Sequence, residues 1–253
     1  MLLPLHPPEQ IAAEIAALDQ LSRGRLLVGL GRGFNKKMLE AFDVQPAKKR
    51  DRFDAALDRI FALWAEGNAM HTAFATYQKP HPPLAIAAFG SKGLSQAAGR
   101  GLPYLASPVE TLDQIAHNQQ QHRAQLPDPS QRALSLVMRT VFVSDDPSEL
   151  AAARESLAQE MRGRRAGMPE AIRKALDAPL DERAVIGTTA EVTERLASDR
   201  ARLAIDLLIV RPQFPKMNSA TLERSLIRLT EEVWPAVSSS ATSWSKVSPP
   251  LPE

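Results

Sequence analysis

Apolar residues along the chain fall into two kinds of run, and the two kinds alternate. Short, nearly continuous runs occur at Leu26–Leu30, Leu84–Ala88, Pro103–Ala106, Leu134–Val143 and Ile205–Val210. A strand with one solvated face would alternate apolar and polar residues. Continuous runs suit strands covered on both faces, as in a parallel sheet. The segments between them carry apolar residues at helical spacing. Pro8 stands where a first-turn proline belongs, and Ile11, Ile15 and Leu18 form one stripe up to an expected glycine cap at Gly24. Phe53, Leu57, Ile60, Phe61 and Trp64 mark one face of a longer helix. Helix starts are signalled at Ser107-Pro108-Val109-Glu110, Asp146-Pro147-Ser148-Glu149 and Thr188-Thr189-Ala190-Glu191, all with capping-box spacing. A last helix is expected to bury Leu222, Leu226, Leu229 and Val233 and to stop at Pro235.

This alternation predicts an α/β fold with a parallel sheet, either open or closed as a barrel. The 253 residues suit a (β/α) barrel, which commonly runs to about 250. Residues 145–185 lengthen one connection with helices, an insertion of the kind that covers the strand ends in barrels. Residues 238–253, rich in Ser, Pro and Thr, predict a disordered tail, which leaves 1–237 as one folded domain. Met1-Leu2-Leu3-Pro4 reads as the end of a strand. Five runs and that stub fall short of an eight-stranded barrel.

Composition narrows the function classes. At 44% hydrophobic and 24% charged, the chain is globular rather than disordered. The net charge is +2 and the basic runs Lys48-Lys49-Arg50 and Arg162-Gly163-Arg164-Arg165 are short, so no nucleic-acid partner is expected. The absence of cysteine excludes disulfides, thiolate metal sites and a cysteine nucleophile, and it fits a cytoplasmic location. His117 and His122 are five apart and so do not share a helix face; no metal site is expected. Pro4, Pro7 and Pro8 interrupt the apolar start, which argues against a signal peptide or a membrane span. No GxSxG or comparable nucleophile motif is present, so no catalytic residue is assigned.

Two glycine-rich turns invite a ligand. Gly29-Leu30-Gly31-Arg32-Gly33-Phe34 is GxGxG rather than the dinucleotide-binding GxGxxG, because Phe34 takes the place of the third glycine. Its small residues let a ligand approach a strand end, and Arg32 offers a forked cation to an anion. Phe89-Gly90-Ser91-Lys92-Gly93 opens a helix with backbone N–H groups, a hydroxyl and the positive end of the helix dipole. Those are the parts of a phosphate cradle; the alternative is a plain turn with Ser91 as N-cap.

Pro4-Leu5-His6-Pro7-Pro8, Leu18-Asp19-Gln20-Leu21-Ser22-Arg23-Gly24-Arg25 and Gly29-Leu30-Gly31-Arg32-Gly33 together resemble the bacterial-luciferase-like flavin-dependent monooxygenases. The likeness continues through Arg50 and Phe53, Pro82–Ala87, Gly101-Leu102-Pro103, Ile186-Gly187-Thr188 and Glu232-Val233-Trp234-Pro235. The resemblance implies a TIM (β/α)8-type barrel lacking the first two strands and most of the third. It implies reduced FMN at the carboxyl ends of the strands, O2 activated at the flavin, a small organic substrate, a flavin reductase as partner and a homodimer. It also implies that Arg32 and Arg50 hold the flavin phosphate and that Gly90, Ser91 and Gly93 supply hydroxyl and N–H partners. Gly31 stands where luciferases carry a cysteine, so luciferase activity itself is not implied. Two alternatives stay open: hydride transfer with the deazaflavin F420, which relatives use, and a non-catalytic relic that binds flavin or pairs with a complete subunit.

Overall fold

The computed structural model describes residues 1–128, 130, 132–164 and 170–238. Contacts divide the chain into two compact units, one of residues 1–87 and one that begins at Ala88. The expected tail lies outside the described residues, apart from Ser238. No helix among the described residues is long and apolar enough to cross a membrane.

The first unit contains a short 3-10 turn (Leu3–Leu5), α1 (Pro8–Ser22), β1 (Val28–Leu30), α2 (Lys36–Ala41), α3 (Lys49–Met70) and β2 (Leu84–Ala87). β1 and β2 are parallel, with Val28 opposite Leu84 and Leu30 opposite Ile86. The alternate residues of β1 turn their backbone groups to the other edge. There the Gly31 N–H donates to Met1 O at 2.8 Å and the Leu3 N–H to Gly31 O at 3.2 Å. Leu2 and Gly31 thereby form an isolated parallel bridge.

α1 buries Ile11, Ala12, Ile15, Ala16 and Asp19. Leu18, expected in that stripe, is 50% exposed. The buried face advances by four from Ile15 and lands on an acid. Asp19 is tolerated there because its carboxylate accepts from the Gln78 N–H and from Gln78 Nε2, both at 2.8 Å. α3 buries Phe53, Leu57, Ile60 and Trp64 of its expected face, while Phe61 is only half-buried. Trp64 also donates its indole N–H to Ala12 O at 3.0 Å, tying α3 to α1.

The second unit runs α4 (Ser91–Gly99), β3 (Tyr104–Ala106), α5 (Leu112–Arg123), β4 (Leu136–Val143), α6 (Pro147–Arg164), α7 (Glu170–Asp177), α8 (Leu180–Arg183), β5 (Ala184–Gly187), α9 (Thr189–Leu203), β6 (Leu207–Arg211), α10 (Ser219–Arg228), a π turn (Leu229–Val233) and α11 (Trp234–Ser238). β4 is the hub, and its pairings are parallel. Leu136 pairs with both Leu105 and Leu207, and Thr140 with both Ala184 and Arg211. One residue cannot have two partners on the same side. So β3 and β5 follow one another along one edge of β4, and β6 takes the other edge.

The long apolar run of β4 has a simple cause. Val141, Val143 and Val185 pack with Val192, Leu196, Leu229 and Val233 from the later helices. Phe142, Ala184 and Ile186 pack on the opposite face with Leu150, Ala153 and Leu157 of α6 and with Phe214. Both faces are dry, so alternation is lost.

Three expectations shift. β5 was not among the expected strands; it is four residues long and follows α8 without a loop. Ser107–Glu110 does not start a helix: α5 is capped by Thr111 and Gln114, and the Glu110 N–H closes a turn onto Ser107 O at 3.2 Å. The last helix does not stop at Pro235. A π turn precedes Trp234, the chain continues as α11, and Leu226 is 38% exposed while Leu229 and Val233 are buried. The Thr188–Glu191 capping box forms as read.

Candidate functional site

At the carboxyl end of β1 the chain turns through Arg32 and Gly33. Gly33 has φ +74°, which a side chain would strain, and a Cβ there would also meet Leu39 at 3.3 Å. The turn is held from above by α2. Asn35 caps that helix by accepting from the Met38 N–H at 3.1 Å, and Leu39 and Val44 pack with Leu5, Leu2 and Met38. The local sequence thus folds a short helix over the strand end and leaves Arg32 half-buried beneath it.

The head of α3 meets this turn. Lys49, its first residue, donates from Nζ to Gly33 O at 2.9 Å. Burial pushes the Lys49 ammonium below its ordinary pKa, and repulsion from Arg32 and then Arg50 pushes it further. Burial likewise lowers the Arg32 guanidinium, with repulsion from Arg50 next and attraction from Asp54 opposing both. Arg32, Lys49 and Arg50 therefore crowd three cations at a helix N-terminus, the end where the helix dipole already disfavours positive charge. Such an arrangement is relieved by a bound anion. The two arginines offer planar forks that match a phosphate, so this donor set fits a phosphate dianion. In the sequence Lys49 is one residue of a short basic run, and only its adjacency to Arg50 hinted at this place.

Gly90, Ser91 and Gly93 lie in the second unit, at the head of α4. Gly90, not Ser91, is the N-cap, in extended backbone with φ −150°. A Cβ at Gly90 would meet nothing within 4 Å, so the space over the helix head is open. The Gly93 N–H is turned inward and donates to Gly90 O at 2.8 Å. The first-turn N–H groups of Ser91 and Lys92 and the exposed Ser91 hydroxyl are what this turn presents outward.

A polar network that sequence reading missed lies behind the carboxyl end of β3. The Glu110 carboxylate is fully buried and accepts from the Tyr104 hydroxyl, from Asn118 Nδ2 at 2.6 Å and from the Ser107 N–H at 2.5 Å. Burial pushes its pKa up to about 7, against the three donors, which favour the charged form. Arg139 of β4, also fully buried, donates to Glu110 O at 3.2 Å and to Glu182 O at 3.1 Å. Its Nε lies 3.3 Å from the Asp199 carboxylate, a Coulombic contact without hydrogen-bond geometry. Glu110 carried only a capping signal in the sequence, and nothing marked Arg139 or Asp199.

Comparison with known proteins bears on these features. The family model described as luciferase-like monooxygenase matches residues 1–207. Uncharacterised proteins of Mycobacterium bovis and Mycobacterium tuberculosis are 32% identical over 97 residues; the match spans 34% of this chain and 34% of their own length. Among solved structures, a monooxygenase of Streptomyces bottropensis superposes with a TM-score of 0.74 at 22% identity, over 93% of this chain and 76% of that one. The oxygenating constituent of 3,6-diketocamphane monooxygenase from Pseudomonas putida, solved in complex with FMN, gives 0.68 at 19% identity over 93% and 77%. An F420-dependent secondary alcohol dehydrogenase, solved with an F420-acetone adduct, gives 0.61 at 17% over 92% and 76%. At such identities these likenesses bear on the fold: a parallel α/β architecture of the TIM-barrel type.

Proposed function

We propose, for a chain that belongs to the luciferase-like monooxygenase family, the role of a flavin-dependent monooxygenase that uses reduced FMN and O2 on a small organic substrate. The observation that carries this reading is the crowding of Arg32, Lys49 and Arg50 at one strand end and one helix head. When bound, the reduced flavin would supply the electrons that activate O2, so the chain needs no nucleophile of its own. Its residues bind and orient. Arg32 and Arg50 would grip the phosphate as forks, and Lys49, anchored on Gly33 O, would add a third charge. Partial burial of Arg32 strengthens its attraction for an anion, because less water screens it. The turn at Gly90, Ser91 and Gly93 enters the proposal separately, as a place where an anion meets the head of α4. A flavin reductase as electron donor and a homodimeric state complete the reading.

A second reading replaces FMN by F420 and oxygenation by hydride transfer; the likeness to the F420-dependent alcohol dehydrogenase supports it. The spectrum of the cofactor that co-purifies separates the two.

The test of the phosphate site is a fluorescence titration of FMN and of riboflavin, which lacks the phosphate, against wild type and Arg32→Ala. Each charged hydrogen bond contributes about 1.5–3 kcal/mol, so FMN affinity should fall at least about tenfold while riboflavin changes little. Equal loss for both ligands would mean that Arg32 supports the ring site or the fold, and the assignment would be withdrawn. Binding of FMN without any turnover would favour the non-catalytic relic.

A further inference from the structure

Within the cluster at the end of β1, Lys49 is the least compensated cation. Its ammonium is half-buried, and its anchor is a neutral carbonyl, Gly33 O at 2.9 Å. That bond uses one of its three N–H donors. Arg32 has Asp54 to oppose it, whereas the charges that act most on Lys49 are Arg32 and Arg50, both repulsive. Among the described residues no carboxylate lies within ion-pair distance of Lys49 or Arg50. Three cations thus stand against one acid, a surplus of two. The exposed charges around them on α3 and its cap, Lys48, Asp51, Arg52 and Asp58, cancel one another.

The attraction of a ligand to a fixed charge scales with the ligand's own charge. Above its second pKa of about 6 a phosphate monoester carries two charges. A phosphate diester or a sulfate ester carries one. The monoester neutralises the surplus of the cluster, and a singly charged anion leaves one cation over. Lys49 matters most to that difference, because it is partly withdrawn from water and has no acid to screen it.

We propose that Lys49, anchored on Gly33 O, is a specificity-determining residue that makes this site select a phosphate monoester dianion over singly charged anions of the same shape. The cofactor class is then a flavin with a terminal phosphate monoester, as in FMN; F420, whose phosphate is a diester, is disfavoured. Calling the ligand a flavin rests on the reading given above; the preference for the dianion does not.

The test uses methyl phosphate and methyl sulfate, which share a tetrahedral shape and one methyl group and differ by one charge at about pH 7.5. Binding of each to the full chain is followed on its methyl signal by saturation-transfer NMR, for wild type and for Lys49→Met. Wild type should hold methyl phosphate about tenfold or more tighter than methyl sulfate. Lys49→Met should weaken methyl phosphate about tenfold and methyl sulfate only about threefold, because the lost attraction halves with the ligand's charge. Equal losses for the two anions would mean that Lys49 only pins the Gly33 turn, and would overturn the proposal, as would no preference in wild type. Should Lys49→Met not fold, Lys49→Gln, which keeps an N–H donor and loses the charge, is read by the same two losses. FMN titration of the same samples keeps the two readings apart. Unequal losses without FMN binding would sink the flavin reading alone, and FMN binding with equal losses would sink this one alone.

Discussion

Replacing Glu110 by Gln removes an ionisation from a side chain that water does not reach. Glu110 carries its proton more tightly in the fold than in the unfolded chain, since burial moves its pKa from 4.5 to about 7. The unfolded chain then binds fewer protons between those values, so stability falls as pH rises through that window and levels off above it. At 1.36 kcal/mol per unit the displacement corresponds to about 3 kcal/mol. Gln keeps the shape and one acceptor oxygen. Its amide faces donors, so it costs something at every pH, but that cost does not titrate. The assay is urea unfolding of wild type and Glu110→Gln at intervals from pH 4.5 to 8, followed by circular dichroism. Other ionisable groups are common to both proteins and cancel in the difference. The wild type should lose about 3 kcal/mol relative to the variant across the window. Parallel curves would refute the argument. They would mean that the Tyr104, Asn118 and Ser107 donors outweigh burial and keep the carboxylate charged throughout the window.

The other expectations concern packing and backbone. Ala204 ends α9 at φ +48°, a left-handed position that favours glycine, so Ala204→Gly should raise stability by about 1 kcal/mol in the same unfolding assay; a loss would contradict the strain. Asp199→Ala leaves the buried Arg139 without its counter-charge and should cost about 3–5 kcal/mol, whereas Arg139→Met combined with Asp199→Leu should recover most of it. A single-variant loss below about 1 kcal/mol would show that the Glu110 and Glu182 carbonyls alone suffice for the arginine.

Much of this architecture is written in local pattern. Continuous apolar runs marked β1–β4 because strands dry on both faces need no polar positions; β6 carries the same kind of run although its residues are half-exposed, and helical spacing marked the faces of α1 and α3. Arg32 stood out because a glycine-rich strand end beside an arginine restricts what can bind there, whereas Arg50 entered only through the family resemblance. What local pattern could not decide were the long-range partnerships. Leu18 and Asp19 are neighbours in sequence, and only the arrival of Gln78 makes Asp19 the buried one. Lys49 reads as one cation in a basic run until the fold brings it to Gly33 O and to Arg32. The Ser107–Glu110 spacing is the same in a capping box and in a buried turn; Tyr104 and Asn118 select the turn by supplying donors that a solvated glutamate would not need. Arg211 and Glu160, 51 residues apart, pair only when α6 crosses the face of the sheet. Spacing along a chain encodes which face of an element is apolar, because that depends on the element alone. Which charge meets which depends on elements that the sequence separates and the tertiary fold joins.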